Sequence, residues 1–235
     1  WCHVACTEKF TYYAIHDRRG SVAFQDIGVL RGYGGNLIHD CLSSYDAFCP
    51  GADHGLCNAH VIRELTAVGE QGSHQSWSGK VVSYLYEANQ EAKARGRNLT
   101  EAELISWNRR FDRLVNQGAK ANPEEEVKAV KRGRQKRSKA QNLIKRLKER
   151  RGDYLRFMIS EDVPFTNNLA ERDLRMMKLQ MKISGCFRTL MGAEDFGRIR
   201  SYISTMRKNE HNLFNAMMLA IQGNPIMPSE ADSTC

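Results

Sequence analysis

Residues 36–40 read Asn-Leu-Ile-His-Asp, and this stretch decides the fold. Its centre, Leu37-Ile38, is apolar, two glycines precede it, and its last residue carries a carboxylate. A short apolar run next to a turn signal predicts a buried β-strand. Open α/β sheets place ligand-binding groups at the carboxyl ends of their strands. Asp40 is therefore the first candidate for a functional residue.

Upstream of this strand the sequence predicts a β-hairpin. Trp1–Thr7 and Phe10–His16 are rich in β-forming residues, and only two residues separate them. A turn follows, and Ser21 is expected to cap a short helix that ends at Ile27. We expect the two hairpin strands and Leu37–Asp40 to lie in one sheet.

Downstream of this strand, helical patterns dominate the sequence. Cys57–Val68 has helical apolar spacing, Gly69–Arg151 is helical, polar and charged, and three further helical stretches follow Asp153. This order of strands and helices predicts an α/β fold. The predicted divisions are a first part of the core at residues 1–68, a basic helical insertion at 69–151, a C-terminal helical part of the core at 152–222 and a tail at 223–235.

The composition excludes several classes of protein. The 235 residues are 41% hydrophobic and 26% charged, which rules out a disordered tail, a collagen-like repeat and a membrane bundle. The longest apolar run, Ala216–Ile221, is far shorter than the roughly 20 residues of a membrane helix. No signal peptide is visible, and the seven cysteines, an odd number, predict free thiols in a reducing compartment, the cytoplasm.

Most of the positive charge lies in one segment. Lys128–Arg151 carries twelve Lys or Arg and one acid, a net charge of +11, whereas the whole chain has a net charge of +8. A basic helix of this density suits a phosphate backbone, from which it would release counterions. The alternative is a solvated helix that keeps the protein soluble. The candidate phosphate contacts, all expected to be exposed, are Lys131, Arg132, Arg134, Lys136 and Arg137.

The second candidate carboxylate is Glu171, close to the predicted start of a helix. Asn168 stands three residues before it, at the spacing of a capping box, so one interpretation leaves Glu171 serving only its own helix. The other interpretation places it in a site, because a basic stripe follows it on the same helix face. At 100° per residue this stripe comprises Glu171, Arg175, Lys178 and Lys182, and the adjacent core-facing stripe comprises Leu174, Met177 and Met181.

A third group lies in the helix that begins near Cys57. His60, Arg63 and Glu64 fall at i, i+3 and i+4 on one face. They predict either a structural group, with a surface ion pair and a core histidine, or residues that contact phosphate beside a metal-bound acid. Cys57 and His60, with His54, also offer zinc-type ligands, but no second pair at zinc spacing is visible, which favours packing cysteines.

Several motifs together resemble one protein family. His39-Asp40 with Ser44-Tyr45, followed by residues 56–60 (Leu-Cys-Asn-Ala-His) and 63–65 (Arg-Glu-Leu), is similar to the middle of insertion sequence sixty-six family transposases. The C-terminal half of the family is resembled by residues 163–173 (Val-Pro-Phe-Thr-Asn-Asn-Leu-Ala-Glu-Arg-Asp), 182–188 (Lys-Ile-Ser-Gly-Cys-Phe-Arg) and 198–205 (Arg-Ile-Arg-Ser-Tyr-Ile-Ser-Thr). The resemblance covers nearly the whole chain and is weakest from Gly69 to Arg151.

The resemblance implies an RNase H-like catalytic core of the DDE type, in which helices flank a mixed β-sheet and a helical insertion separates the second and third catalytic acids. Asp40 matches the second acid and Glu171 the third. The first acid lies, in the family, on a strand immediately upstream of the position of Trp1 and is absent here, so we expect this chain to be an incomplete catalytic core. The acids are expected to converge and to hold two Mg²⁺ or Mn²⁺ ions.

The partners that the resemblance implies are DNA, as transposon ends and target, and further copies of the chain assembled on that DNA in the nucleoid. His60 and Arg63 are candidate auxiliary residues. Two other functions stay open, a noncatalytic DNA-binding or assembly module and a metal-dependent nuclease of the same fold. Outside the basic segment, the candidate DNA contacts are Arg175, Lys178, Lys182 and Arg188.

Overall fold

The computed structural model describes residues 1–97, 99–123 and 137–227. Its strands are β1 (Cys2–Cys6), β2 (Thr11–Ile15), β3 (Asn36–His39) and β4 (Asp53–Leu56). Its helices are α1 (Ser21–Ile27), α2 (Ser43–Phe48), α3 (Asn58–Gly69), α4 (Ser76–Ala94), α5 (Glu101–Ala121), α6 (Lys139–Glu149), α7 (Arg151–Leu155), α8 (Asn168–Ser184), α9 (Leu190–Lys208) and α10 (Leu213–Ile221). The mixed α/β class predicted from the sequence is confirmed.

The chain forms two compact units. The hairpin unit comprises Trp1–Gly32, Ala47–Cys49 and the chain from Asn168 onward, and the helical unit comprises Tyr33–Asp46 and Pro50–Asn167. The division of the chain at residues 68, 151 and 222 stays a prediction.

The hairpin unit is built on β1 and β2, which pair antiparallel from Cys2 opposite Ile15 to Cys6 opposite Thr11. The turn between them closes on Thr7, whose Oγ1 accepts the Phe10 N–H at 3.0 Å. Helix α8 packs on β1, and helix α9 packs on β2. The predicted hairpin is confirmed.

Helix α1 begins one residue earlier than predicted. Ser21 is its first helical residue, the N-cap position is Gly20 at φ 84°, and no side chain caps the helix. The expectation that Ser21 caps α1 is wrong, because the left-handed turn at Gly20 brings the chain into the helix at Ser21 itself.

The expected single sheet is also wrong, since within residues 1–97, 99–123 and 137–227 β1 and β2 form one sheet and β3 and β4 another. The free edge of β2 is covered by a helix: the N–H groups of Thr11 and Tyr13 donate to the hydroxyls of Thr205 (3.1 Å) and Ser201 (2.9 Å) on α9. With these edge donors satisfied, β2 offers no ladder to a third strand.

Strand β3 instead pairs in parallel with β4, from Asn36 opposite Asp53 to His39 opposite Leu56. The β4 sequence, Asp-His-Gly-Leu, contains no β-branched or aromatic residue, so nothing in its composition identifies a strand. Its conformation is imposed by pairing with β3 and by burial of Gly55 and Leu56.

The core of the helical unit lies among α3, α4, α5 and α6. The described residues between 69 and 151 are largely helical, as predicted, and capping boxes begin α5 (Thr100 with Glu103) and α6 (Ser138 with Gln141). The largest fully buried side chains in this core include Leu65, Leu85, Tyr84, Phe111 and Leu147.

Helices α4 and α5 meet where Trp77 packs against Gly118. A Cβ added at Gly118 would lie 2.6 Å from the Trp77 ring, which is 2% exposed and held by a 2.7 Å hydrogen bond from Nε1 to Gln75 Oε1. This close approach requires glycine at position 118, whereas nothing lies within 4 Å of a Cβ at Gly79 on α4.

We expect Gly118→Ala to lower the free energy of unfolding by about 1–3 kcal/mol, because the Trp77 ring has no space to move. Gly79→Ala is the matched control and should raise it by about 0.5–1 kcal/mol, through helix propensity alone. Urea unfolding followed by circular dichroism measures both. A Gly118→Ala protein at least as stable as the wild type would contradict this packing.

Candidate active site

Asp40 is the first residue after β3, as predicted, and it is exposed. The chain turns immediately afterwards, because Cys41 adopts a left-handed conformation at φ 71°. The N–H of Cys41 donates to His39 Nδ1 at 3.2 Å and thereby stabilises the turn. The Asp40 carboxylate makes no hydrogen bond or ion pair to any residue that the structure describes, so it remains available to a ligand.

The histidine that stabilises this turn is buried and neutral. Since His39 Nδ1 accepts from Cys41, its ring hydrogen is assigned to Nε2, which donates to His54 Nδ1 at 3.0 Å. Burial chiefly, together with the positive charge of Arg150 and the neighbouring His54, lowers the pKa of His39 to about 4. His39 therefore carries no charge at pH 7 and acts as a hydrogen-bonding support for the residues beside it.

An ion pair between Asp46 and Arg150 completes the group of residues that supports the turn after β3. Asp46 accepts two hydrogen bonds from Arg150, at 2.7 and 2.9 Å, and Arg150 Nε also donates to Asp153 at 2.8 Å. His39, Asp46 and His54 lie close enough together to suggest a metal site. However, the hydrogen on His39 Nε2 leaves no lone pair there for a metal, and Asp46 is committed to Arg150. This cluster is therefore hydrogen-bonded and structural.

The zinc-type group considered from the sequence does not form a single cluster. Within the described ranges, His54 groups with His39 and Asp46 and not with Cys57 and His60. The Sγ of Cys57, which is buried, accepts the Asn167 N–H at 3.1 Å. Cys57 thus has a structural partner inside the helical unit.

The auxiliary candidates on α3 occupy different environments. His60 is half-buried, and Arg63 is exposed with its Nε donating to the Ala59 carbonyl at 3.2 Å. Glu64 forms an ion pair with Arg146 of α6 at 2.6 Å, which links the two helices. Both interpretations of His60 and Arg63 remain open.

Glu171 lies in the first turn of α8 and is half-buried. The helix begins at Asn168, so Asn168 is inside the helix and does not occupy the N-cap position that a capping box requires. Glu171, Arg175 and Lys178 line a groove of about 650 Å³ along this helix. The structure thus brings the acid and two of its predicted cations together. Lys182 and Arg188 are exposed and do not line the groove.

A residue missed by the sequence analysis anchors α8. The Oδ2 of Asp173 accepts from Thr11 Oγ1 at 2.9 Å and pairs with Lys208 Nζ at 3.0 Å, while the Asp173 carbonyl accepts from Tyr13 Oη at 2.6 Å. The side chains of Asp173 and Lys208 are only 12% and 10% exposed. In the sequence, Asp173 is one more charge on a charged helix, so no local signal identifies it.

The predicted apolar stripe of α8 is right only in part. Met177 is buried and Leu174 half-buried, but Met181 is 52% exposed, so its expected packing on the sheet is wrong. The reason is length: the 17 residues of α8 extend about 25 Å, whereas the five residues of β1 extend about 17 Å.

The basic segment is only partly visible. Lys131, Arg132, Arg134 and Lys136 lie outside the described residues. Arg137 is half-buried, not exposed as expected. Further along, three arginines of the segment form ion pairs inside the helical unit: Arg146 with Glu64, Arg150 with Asp46, and Arg151 with Asp112. Three of the twelve positive charges counted in this segment are therefore paired with acids of the helical unit.

A family model described as Transposase IS66 family matches residues 1–195. The chain belongs to the IS66 transposase family. No curated protein and no solved structure matches it. The resemblance noted from the motifs is thereby confirmed, and membership of a DDE transposase family implies DNA as partner and a divalent metal as cofactor.

The Asp40 carboxylate fits the divalent metal that the family implies. An exposed carboxylate without a partner among the described residues, as at Asp40, fits a divalent ion such as Mg²⁺, which binds through few carboxylates and keeps its waters.

In the described part of this IS66 family chain, no helix has both the length and the apolar character to cross a bilayer.

Removing the Asp173 charge should loosen α8. We expect Asp173→Asn to lower the free energy of unfolding by about 3 kcal/mol, because Lys208 would be left buried beside neutral oxygens. Asp195→Asn is the control: its ion pair with Arg198 is exposed at 3.6 Å, and its loss should cost less than about 1 kcal/mol. Equal losses in urea unfolding would contradict the anchoring role.

His39 should make stability depend on pH. Its pKa is about 4 in the folded chain and 6.5 in the unfolded one, so between these values the unfolded state binds more protons. Stability should fall by on the order of 3 kcal/mol as the pH drops from 6.5 to 4. His39→Asn keeps an acceptor for the Cys41 N–H and should flatten this dependence, as measured by urea unfolding in chelator.

The control for this experiment is His211→Asn, since His211 is exposed. It should leave the pH dependence as in the wild type. Parallel curves for the wild type and His39→Asn would show that the pKa of His39 is not lowered in the folded chain.

Proposed function

We propose that this IS66 family chain is the catalytic core of a DDE transposase with an RNase H-like fold, which cleaves DNA strands and joins them to a target. Asp40 is the second catalytic acid and Glu171 the third. The observation that carries the proposal is the exposed carboxylate of Asp40, which follows a buried-type strand and has no hydrogen-bond or ion-pair partner among the described residues. The family model matches this chain over residues 1–195.

In this proposal the carboxylates of Asp40 and Glu171 bind Mg²⁺ or Mn²⁺, two ions in the intact enzyme. When bound, such ions activate a water or a 3′-hydroxyl and stabilise the leaving oxygen in an in-line displacement at phosphorus. The protein's own task is to hold the two acids in place. His39 and the left-handed turn at Cys41 do this for Asp40, and Asp173 does it for Glu171.

The cations near Glu171 have a defined role in the proposal. Arg175 and Lys178 share a groove with Glu171, so they hold a phosphate oxygen beside the acid and compensate the charge that develops during the displacement. Lys182 and Arg188 contact DNA further along, and His60 and Arg63 are auxiliary residues. The enzyme acts as a homo-oligomer assembled on DNA in the cytoplasm, at the nucleoid.

Substitution of the two acids tests the proposal. In a protein that includes the strand upstream of Trp1, Asp40→Asn and Glu171→Gln should each lower Mg²⁺-dependent cleavage of a labelled transposon end by at least about 100-fold, since each removes a metal ligand. Both proteins should keep their melting temperature and their affinity for DNA, because neither substitution changes a side chain that the core needs.

Asp195→Asn is the control and should cleave at the wild-type rate. Cleavage without joining of the labelled end would instead indicate a nuclease. Retention on DNA with no metal-dependent cleavage in the wild type would indicate a noncatalytic assembly module. Wild-type cleavage by Asp40→Asn would overturn the assignment of Asp40.

A further inference from the structure

Helix α5 carries a basic face that the sequence analysis did not consider. Arg109, Arg113 and Lys120 are exposed and, at 100° per residue, lie within about 40° of one another around the helix. Asn116 and Gln117 lie between them, and these residues line a shallow groove of about 460 Å³. We call Arg109, Arg113 and Lys120 the α5 stripe.

Among residues 1–97, 99–123 and 137–227, no acid forms an ion pair with a cation of the α5 stripe. Asp112, which borders the groove, is paired with Arg151. Of the two other acids on α5, Glu103 is held by Thr100 and Arg95, and Glu101 lies in the first turn, where the helix dipole favours a negative charge. The acids of α5 itself are therefore engaged elsewhere and leave the cations of the stripe unpaired among the described residues.

The three cations of the α5 stripe also have no partner in the part of the chain that the structure describes. Arg109, Arg113 and Lys120 make no hydrogen bond or ion pair with the residues that the structure describes. Their neighbour Arg110 is different, because it pairs with Glu87 at 2.6 Å and lies over the rings of Tyr84 and Trp107. The contrast separates charges that stabilise the fold from charges that are available to a ligand.

The chemistry of the stripe fits a phosphodiester backbone. Arginine, lysine and side-chain amides are the groups that contact phosphates in protein–DNA interfaces. A membrane-binding helix would need large apolar residues beside the cations, and the groove has none. Eleven positions at 1.5 Å per residue spread the cations over about 16 Å, along which one strand of a duplex presents about five phosphates.

We propose that the α5 stripe binds the backbone of duplex DNA without reading its sequence. This inference rests on the proposed function, in which the chain acts on DNA. It assigns a DNA surface outside the segment Lys128–Arg151, where Arg146, Arg150 and Arg151 are already used in ion pairs.

The salt dependence of DNA binding tests the stripe. The 235-residue chain is titrated against fluorescent duplexes of two unrelated sequences at 50–200 mM salt. Arg109→Gln with Arg113→Gln should weaken binding to both duplexes at least about tenfold at 50 mM and reduce the magnitude of the slope of log K against log salt by about 1.8. Adding Lys120→Gln should reduce it by about 0.9 more.

The matched control is Arg95→Gln with Arg110→Gln, which removes the same charge from arginines that form ion pairs, Arg95 directly after α4 and Arg110 on α5. It should leave the slope unchanged, with melting temperatures reporting any loss of fold. An unchanged slope in the stripe variant overturns the proposal that the α5 stripe binds DNA. It leaves the proposed transposase function untouched, because the cleavage assay with Asp40→Asn and Glu171→Gln tests that function separately. The proposal is also overturned if the wild-type chain does not bind duplex DNA at 50 mM salt, or if it binds polyglutamate or anionic vesicles more tightly than duplex DNA.

Discussion

The buried ion pair between Asp173 and Lys208 is the interaction on which the hairpin unit depends. Asp173 also accepts hydrogen bonds from Thr11 and Tyr13 of β2, so this one residue ties α8 both to the hairpin and to α9. Two residues earlier in α8 stands Glu171, whose position follows from this anchor. Because a buried charge without its partner is costly, the ion pair favours one position of α8. The residues of α8 that line the basic groove beside Glu171 are therefore held in place together.

The helical unit positions its own acid by different means. β3 is paired with a strand of unusual composition, and the turn after Asp40 is stabilised by a buried neutral histidine. The burial that lowers the pKa of His39 also protects its hydrogen bonds from competition by water. Asp40 consequently projects from a supported backbone while its carboxylate stays unengaged, which is the state that a metal ligand requires.

The electrostatics of the chain cannot be understood from a count of charges. Three arginines of the most basic segment neutralise acids on other elements. Helix α5, in contrast, presents cations that have no partner among the described residues. Pairing depends on which elements meet in three dimensions, and the sequence contains no local sign of it. For a protein of a family that acts on DNA, the unpaired cations are the ones that matter.

The sequence by itself determined the elements whose signals are local: the hairpin, the strand that directly precedes Asp40, the helices of the described part of residues 69–151, and the family through its motifs. Only the tertiary structure decided which strands pair, because α9 hydroxyls cover the edge of β2 and the weak β4 segment joins β3. It also revealed the Asp173 anchor, the limited burial of α8 and the unpaired face of α5. Each of these depends on contacts between residues far apart in the chain, and the free energy of such contacts is absent from any local pattern.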